Sequence, residues 1–349
     1  MSVEILAAGP MLTVQDGGRK GLRHFGVSNA GPMDGPSLAL ANALCGNAPE
    51  EAALEFAGIG GRFTTDRPIR FAVTGGECDI RIAGRLLSPG ESHRLSPGET
   101  LEIGALRDAV WGYLAIAGGI AVPAALGSRA THLRSGLGGL EGRTLRAGDI
   151  LPLDEDRAAD RCLRLAMPPP SGADQPVRVV LGPQHDYFDA ETIARLTATA
   201  FTVTPQRDRM AMMLGGVELP AARGHDIVSD ATVAGSIQVP GSRRPIGLMA
   251  ESQTTGGYPK IATVISTDLP RLAQMPAGTR FRFAVVSRDE GEAIWIAHRR
   301  AMRAMLEGLQ VKPEGELTSE YLLSRNLIGG IFAYEKHLPA ISGENGEAK

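Results

Sequence analysis

The sequence predicts a mainly β fold built as a duplicated unit of barrel or sandwich type, on three observations. Period-two alternation recurs in short bursts, at Ile69-Arg-Phe-Ala-Val73, Cys78-Asp-Ile-Arg-Ile82 and Arg280-Phe-Arg-Phe-Ala-Val285, the pattern of strands with one buried face. Turn formers separate them at close intervals, as at Gly75-Gly76, Gly84-Arg85, Ser88-Pro-Gly90 and Ser96-Pro-Gly98. Residues 101–120 also line up without a gap on residues 246–265. In that alignment Gly112-Tyr113-x-x-Ile116-Ala117 is mirrored by Gly257-Tyr258-x-x-Ile261-Ala262.

Helices are few. Asp34-Gly-Pro36 opens the first, with Asp34 as its cap, Leu38, Ala41, Leu44 and Cys45 on one face and Gly46 as its stop. A second starts at Asp189, with Ile193 and Leu196 turned inward. The third and longest opens at Ser287 with Glu290 three residues on, a capping box. It carries Ile294, Ala297, Ala301, Ala304, Met305 and Gly308 at helical spacing, as expected of a helix packed against or plugging a β unit. The charged run 154–161 and the Pro- and Gly-rich run 168–176 mark a junction between halves. The expected organisation is therefore a first β domain over 1–160, a linker over 161–176, a second β domain over 177–340 and a polar tail over 341–349.

Composition narrows the function classes. The 349 residues include 36 Lys and Arg against 39 Asp and Glu, a net charge of −3. That balance lacks the basic excess that phosphate-backbone binding requires, so nucleic acid is not an expected partner. Glycine, at 44 residues, is abundant and aromatics are only 5%, which favours tight turns and short strands. Cys45, Cys78 and Cys162 are odd in number and widely spaced, without the pairing of a disulfide framework or a zinc site. The N-terminal apolar run is short and follows an acid, Glu4, and the stretch 111–128 is too short and too glycine-broken to span a bilayer. A soluble, cytoplasmic protein is expected, with no membrane partner.

There is no phosphate loop, and Gly136-Leu-Gly-Gly-Leu-Glu-Gly142 places Glu141 where a dinucleotide-binding fingerprint needs glycine. Histidines do not adopt metal-site spacing, so no metal is expected, and His185-Asp186 reads as a turn. Nucleophile elbows are absent, as is a Met-Lys-Met biotinylation site; Cys45 reads as a small core residue. Two polar segments stand among glycines. In Val14-Gln-Asp-Gly-Gly-Arg19, Arg19 can clamp a carboxylate or phosphate, with Gln15 and Asp16 beside it; the competing reading pairs Asp16 with Arg19 locally. In Gln253-Thr-Thr-Gly-Gly-Tyr-Pro-Lys260, the side chains of Gln253, Thr254 and Thr255 offer neutral donors and acceptors. Lys260 can offset developing negative charge; the competing reading is a tight hairpin. The expected catalytic set is Arg19, Gln253, Thr255 and Tyr258, and the expected substrate-binding set is Gln15, Asp16, Thr254 and Lys260. The two segments make either one composite site or two.

Leu12-Thr-Val-Gln-Asp-Gly-Gly-Arg-Lys-Gly21, Gly31-Pro-Met-Asp34, Ala53-Leu-Glu55, Tyr113-Leu-Ala-Ile-Ala-Gly-Gly119, Gly182-Pro-Gln184, Gly235-Ser-Ile-Gln-Val-Pro240, Gln253-Thr-Thr-Gly-Gly-Tyr-Pro-Lys260 and Asp268-Leu-Pro270 resemble the biotin-dependent carboxyltransferase family. Its members include the C subunit of 5-oxoprolinase, the second subunit of allophanate hydrolase, part of urea carboxylase and an antagonist of a sporulation-kinase inhibitor. The resemblance implies two tandem cyclophilin-like β-barrels. It also implies one component of an ATP-dependent hydrolase that opens 5-oxoproline to glutamate together with the B and A subunits of a 5-oxoprolinase. ATP would be used through the complex, with no biotin on this chain and little activity by the chain alone. The alternatives it carries are the carboxyltransferase part of a urea or amide carboxylase and a non-catalytic regulator that binds a kinase-inhibitor protein. Three places depart from the family pattern: Arg209-Met-Ala-Met-Met-Leu214, Ala130 in place of a second serine, and Arg243-Arg244. They leave the substrate open.

Overall fold

Every residue of the strand Trp111–Ile116 is buried, because the strand divides its side chains between two cores. Leu114 and Ile116, with Leu54, Phe56, Phe71 and Val73, face one cluster, while Trp111, Tyr113 and Ala115, with Ala53 and Ala72, face another. A strand covered on both faces loses the polar alternation that a half-exposed strand shows. The structure, a computed structural model, describes residues 1–166 and 175–312. It is mainly β, as the sequence predicts, and the described residues form four α-helices.

The strand lies third in a five-stranded sheet ordered Thr13–Gln15, Ala53–Ala57, Trp111–Ile116, Ile69–Thr74, Ser92–Leu95. A six-stranded sheet ordered Ile150–Pro152, Ser2–Ala8, Ile59–Thr65, Leu101–Ala105, Ile80–Ile82, Arg85–Leu87 closes the inner core from the other side with Val3, Ile5, Phe63, Ile80, Ile82 and Ile103. The outer face of the five-stranded sheet is covered by α1 (Gly35–Cys45), which packs on Ile69–Thr74 and Trp111–Ile116. An 11-residue helix is marginal by itself. Here Leu38, Ala41, Leu44 and Cys45 are buried, Asp34 accepts from Ser37 N at 3.1 Å, and Gly46 ends the helix in the left-handed region, φ 77°.

The second half forms one eight-stranded sheet, ordered Arg280–Phe281, Phe201–Arg207, Ala211–Gly215, Ile246–Leu248, Ser236–Gln238, Lys260–Val264, Val177–Leu181, Phe283–Val285. Its two edge strands are consecutive in sequence, with Arg282 alone between them. The run 280–285, read from sequence as one strand, thus crosses from one edge of the sheet to the other and nearly closes it into a barrel, which removes the exposed edges of an open sheet. Phe201, Phe281 and Phe283 stack inside, with ring centroids 5.0–6.2 Å apart. α2 (Ala190–Ala198) is capped by Asp189, which accepts from Thr192 N at 2.7 Å, and buries Leu196 with Ile193 partly covered, as expected.

Three features differ from the sequence reading. The gapless repeat places Ile116 and Ile261 in buried strands, but Tyr113 is fully buried whereas Tyr258 is 40% exposed. Of the expected linker, Leu163–Arg164 is a strand paired with Gln310–Val311, and Arg161 O accepts from Arg70 Nη1 at 2.8 Å; residues 167–174 and those beyond 312, the expected tail among them, lie outside the described residues. The long helix α4 (Arg288–Glu307) has its capping box but no buried residue. It packs against the β unit, one of the two expected arrangements, with Met305 and Leu306 on the core, and does not plug a barrel: Ala297, Ala301 and Ala304 are exposed, and Ile294, His298, Met302 and Met305 are on the partly covered side. The barrel interior that such a helix would fill is already occupied by the three phenylalanines.

The halves are fastened by a short helix that sequence reasoning missed, α3 (Leu269–Gln274). Gln274 at its end reaches the first half. Its Oε1 accepts from Val110 N at 3.0 Å and Trp111 N at 2.8 Å, and its Nε2 donates to Asp34 Oδ2 at 2.9 Å and Trp111 O at 2.8 Å. Each partly buried group stranded by loss of its partner costs about 1–3 kcal/mol. Gln274→Leu should therefore lower unfolding stability by about 2–4 kcal/mol, read as a fall in the denaturation midpoint; an unchanged midpoint would mean that water replaces the side chain.

Candidate functional site at the junction of the two halves

In the turn that follows Phe201–Arg207, Asp208 Oδ1 accepts from Met210 N at 2.7 Å and Ala211 N at 2.9 Å. This tight turn aims Arg209 at the first half. All three guanidinium nitrogens are engaged: Nη1 with Glu55, Nε with Glu251 Oε1 at 2.6 Å, and Nη2 with Gly31 O at 2.6 Å. Glu55 Oε2 also accepts from Met33 N at 2.8 Å and Tyr113 OH at 2.7 Å, while Glu251 Oε2 accepts from Leu133 N at 3.2 Å. Burial pushes the Glu55 carboxyl upward, opposed by Arg209 and the Met33 and Tyr113 donors. Burial lowers the Arg209 guanidinium, and the two carboxylates outweigh it and hold the group above its ordinary value. Burial and Glu55 push Tyr113 well up, so its hydroxyl remains a proton donor. A cavity of about 220 Å³, lined in part by Leu133, Arg134, Arg209 and Glu251, opens beside this network.

The first predicted segment sits next to it. Gln15 is buried, its Nε2 donating to Thr13 Oγ1 at 3.0 Å and Thr131 O at 3.1 Å. Asp16 ties neighbouring loops together: its oxygens accept from Gly18 N at 2.8 Å, Ser128 Oγ at 2.6 Å and Arg129 N at 2.6 Å. Arg19 is 1% exposed, with Nε on Ala125 O at 3.0 Å and Nη2 on Ala130 O at 2.6 Å. Nε and Nη2 are thus each committed to a carbonyl, and Nη1 has no hydrogen-bond partner among the described residues. Gly138, at φ +70°, makes room for the guanidinium, since a Cβ there would lie 2.1 Å from Nη2.

The second segment forms a two-stranded ribbon, Thr255–Gly256 against Asp230–Ala231. Gln253 and Thr255 are exposed and Tyr258 partly so, while the carbonyl of Thr254 accepts from Thr232 N at 3.0 Å. Lys260 is 2% exposed and pairs with Asp230 Oδ2 at 2.8 Å; Gln184 Nε2 donates to the same oxygen at 2.9 Å. Hydrogen bonds from Lys260 and Gln184 bring the Asp230 carboxyl down to about 2. Arg23, four residues beyond the first segment, reaches the second, its Nη2 donating to Thr232 O at 2.7 Å and Gln253 O at 3.1 Å, and Ser28 Oγ donates to Ala250 O at 3.3 Å. The loop that follows the first segment therefore meets the second across the junction.

Sequence reasoning missed Glu251, His132, Asp230 and the role of Arg209. A lone acid inside the apolar strand Ala53–Ala57 marked Glu55 as unusual, but no local pattern links it to an arginine 154 positions away. Of the departures, Ala211 and Met213 lie in the strand Ala211–Gly215 that follows the Arg209 turn, Ala130 supplies the carbonyl under Arg19, and Arg243 and Arg244 are exposed. Cys45, Cys78 and Cys162 are buried thiols; burial pushes Cys45 well up and Cys78 to about 11, which leaves neither a nucleophile. His185 sits in a 3₁₀ turn with Nδ1 on Gly182 O at 2.8 Å. No helix among the described residues is long and apolar enough to cross a membrane.

The family model for the carboxyltransferase domain, subdomains A and B, matches residues 25–285. The chain is 36% identical over 295 residues to the C subunit of 5-oxoprolinase from Escherichia coli strain K12, covering 82% of this chain and 92% of that protein. It is 28% identical over 316 residues to the urea amidolyase of Saccharomyces cerevisiae, covering 84% of this chain and 17% of that one. Among solved structures it is similar to TTHA0988, at 36% identity and TM-score 0.73 over 81% of this chain and 55% of that chain. It is also similar to the Kluyveromyces lactis urea carboxylase, at 26% identity and TM-score 0.80 over 90% and 30%. The chain thus spans about half the length of the TTHA0988 chain that it matches.

The two buried cations should respond differently to removal. Arg209→Met strands two buried carboxylates and should cost about 3–5 kcal/mol in denaturant unfolding; a loss below about 1 kcal/mol would show that the network does not brace the junction. Lys260→Met leaves Asp230, 45% exposed, to water and should cost less than Arg209→Met, losing at neutral pH only the solvent-screened contribution of the depressed carboxyl. The Asp230 carboxyl should rise from about 2 toward an ordinary aspartate value near ~4, followed by NMR titration. In the parent protein this depressed carboxyl favours the fold above its unfolded value, and that contribution disappears as pH falls through about 2.

Proposed function

The chain belongs to the carboxyltransferase-domain family, subdomains A and B, and from that membership we propose that it is the C subunit of an ATP-dependent 5-oxoprolinase. The observation that carries this reading is the 36% identity to the Escherichia coli C subunit over 92% of that protein's length. The reaction opens a lactam. Its amide carbonyl is a weak electrophile, so ATP first phosphorylates the carbonyl oxygen, releasing ADP. Water then adds to the activated carbon, the ring C–N bond breaks with protonation of nitrogen to leave an acyl phosphate, and a second water releases phosphate, giving glutamate. The oxygen that gains charge needs donors held in place beforehand.

On this proposal the junction supplies them. Gln15 and Arg19 lie on one side of the composite surface, Gln253, Thr255 and Tyr258 on the other, with Lys260 behind the ribbon. Asp16 and Thr254 shape the loops that carry them. The contact of Arg23, just beyond the first segment, with Gln253 O supports a single composite site. Nucleotide handling falls to the partner A and B subunits, in keeping with a sequence that carries no phosphate loop, and the chain by itself has little activity. Residues 1–160 and those from 177 onward form the two domains, which suits strands that pair within each half apart from Leu163–Arg164 with Gln310–Val311. A second reading, the carboxyltransferase part of a urea carboxylase, is favoured by the match to urea amidolyase, but at 28% identity.

Reconstitution tests the proposal. The chain alone should hydrolyse 5-oxoproline negligibly with ATP, and adding the A and B subunits should restore turnover. Thr255→Ala, in a complex that still assembles, should lower turnover by about 10²-fold if the ribbon contacts the reacting oxygen. Robust turnover by the single chain would refute the division of labour. A chain that instead completes carboxylation of urea with a biotin carboxylase would establish the second reading.

A further inference from the structure

Four arginine or lysine side chains among the described residues are buried: Arg19, Arg70, Arg209 and Lys260. Arg70 has Asp156, Arg209 has Glu55 and Glu251, and Lys260 has Asp230. Arg19 has no carboxylate within ion-pair distance among the described residues, and its Nη1 has no hydrogen-bond partner. A buried cation without a counter-ion is costly enough that proteins seldom leave one. Burial lowers the Arg19 guanidinium, with Asp16 and Glu251 acting against that only from a distance.

A second free donor lies close by. His132 is 7% exposed and sits next to Leu133, which lines the 220 Å³ cavity. Its Nδ1 accepts from Ser135 N at 3.2 Å, so the neutral ring carries its proton on Nε2, and that atom has no partner. Charge interactions couple the ring to Glu251, Arg19 and Arg209. Gln15 adds an unpartnered acceptor: its Nε2 is fixed by Thr13 and Thr131, which leaves Oε1 free. A buried cation, an N–H donor and a carbonyl acceptor are thus left open within one short stretch of the junction.

We infer that this trio is the acid-binding end of the substrate site: Arg19 Nη1 and His132 Nε2 donate to the carboxylate of a small molecule whose adjacent N–H donates to Gln15 Oε1. A lactam acid with nitrogen and carboxylate on one carbon has that arrangement, and urea does not. The identification of the ligand as 5-oxoproline rests on the function proposed above; the existence of a carboxylate site does not.

Calorimetric titration of the full chain, and of the complex with its partner subunits, tests this with three probes: 5-oxoproline, 2-pyrrolidinone, which lacks the carboxylate, and cyclopentanecarboxylate, which lacks the lactam. 5-oxoproline should bind at least about 10-fold more tightly than 2-pyrrolidinone, the factor for one charge-assisted hydrogen bond. Arg19→Met also frees the Ala125 and Ala130 carbonyls and can impair folding, so His132→Asn is the main variant. It keeps an acceptor for Ser135 and removes the Nε2 donor, and should weaken 5-oxoproline by about 10-fold or more with an unchanged melting temperature. Cyclopentanecarboxylate binding that depends on His132, without 5-oxoproline binding, would uphold the carboxylate site and sink the 5-oxoprolinase reading. Equal affinity for 5-oxoproline and 2-pyrrolidinone, unaltered binding by His132→Asn, or no carboxylate bound by chain or complex would overturn the inference, even where the complex turns over 5-oxoproline.

Discussion

Arg209 holds a charge inside protein at the one place where the two halves must agree. Its guanidinium takes one carboxylate from each side, Glu55 of the first half and Glu251 of its own, and the carbonyl of Gly31 fills its last position. A buried pair contributes little net stability compared with an apolar contact of the same volume, but breaking it is expensive. That asymmetry is what gives the arrangement its specificity. A junction shifted by one hydrogen bond would strand a charge, so Tyr113, Met33 and Leu133, which complete the two carboxylates, are held in place with it. Gln274 fixes the same junction from another direction, through neutral bonds to the start of Trp111–Ile116.

Polar satisfaction is otherwise thorough, and its exceptions are concentrated. Buried polar groups without partners are rare in folded proteins and call for a physical reason. Among the described residues Gln15, Arg19, Asn29, Trp111, His132, Gln238 and Ser252 each have such an atom. Five of these seven are Gln15, two residues of the loop after it, His132, and the residue after Glu251; Trp111 and Gln238 lie apart, in strands. The surrounding scaffold is rigidly made, with Asp16 stitching Gly18, Ser128 and Arg129 together. A firm frame around unfilled donors and acceptors is the arrangement expected of a binding site, where local rules of stability yield to function.

The second barrel shows how closure and packing redistribute the elements around such a site. Arg282 lets the chain pass from one edge of the eight-stranded sheet to the other, so the phenylalanine cluster fills the interior and α4 has no place within it. The ribbon of Asp230–Ala231 and Thr255–Gly256 then projects from the barrel beside the junction, with its glutamine and threonine side chains in solvent and Lys260 anchored below.

The sequence by itself determined the local features: the strand bursts, the Asp34 and Asp189 caps, the Ser287 capping box, the inertness of the cysteines and the two glycine-flanked polar segments. Each is set within a few residues by backbone preference, side-chain period or burial tendency. Tertiary structure alone decided that Arg19 has no counter-ion, that Asp16 is spent on loops, that Tyr113 and Tyr258 lie in opposite environments, and that Glu55, Arg209 and Glu251 form one unit. It also placed α4 outside the barrel. These outcomes depend on which distant groups become neighbours once water is excluded. In that setting a charge is governed by the partners within a few ångströms of it, and residues far apart in sequence leave no local pattern that joins them.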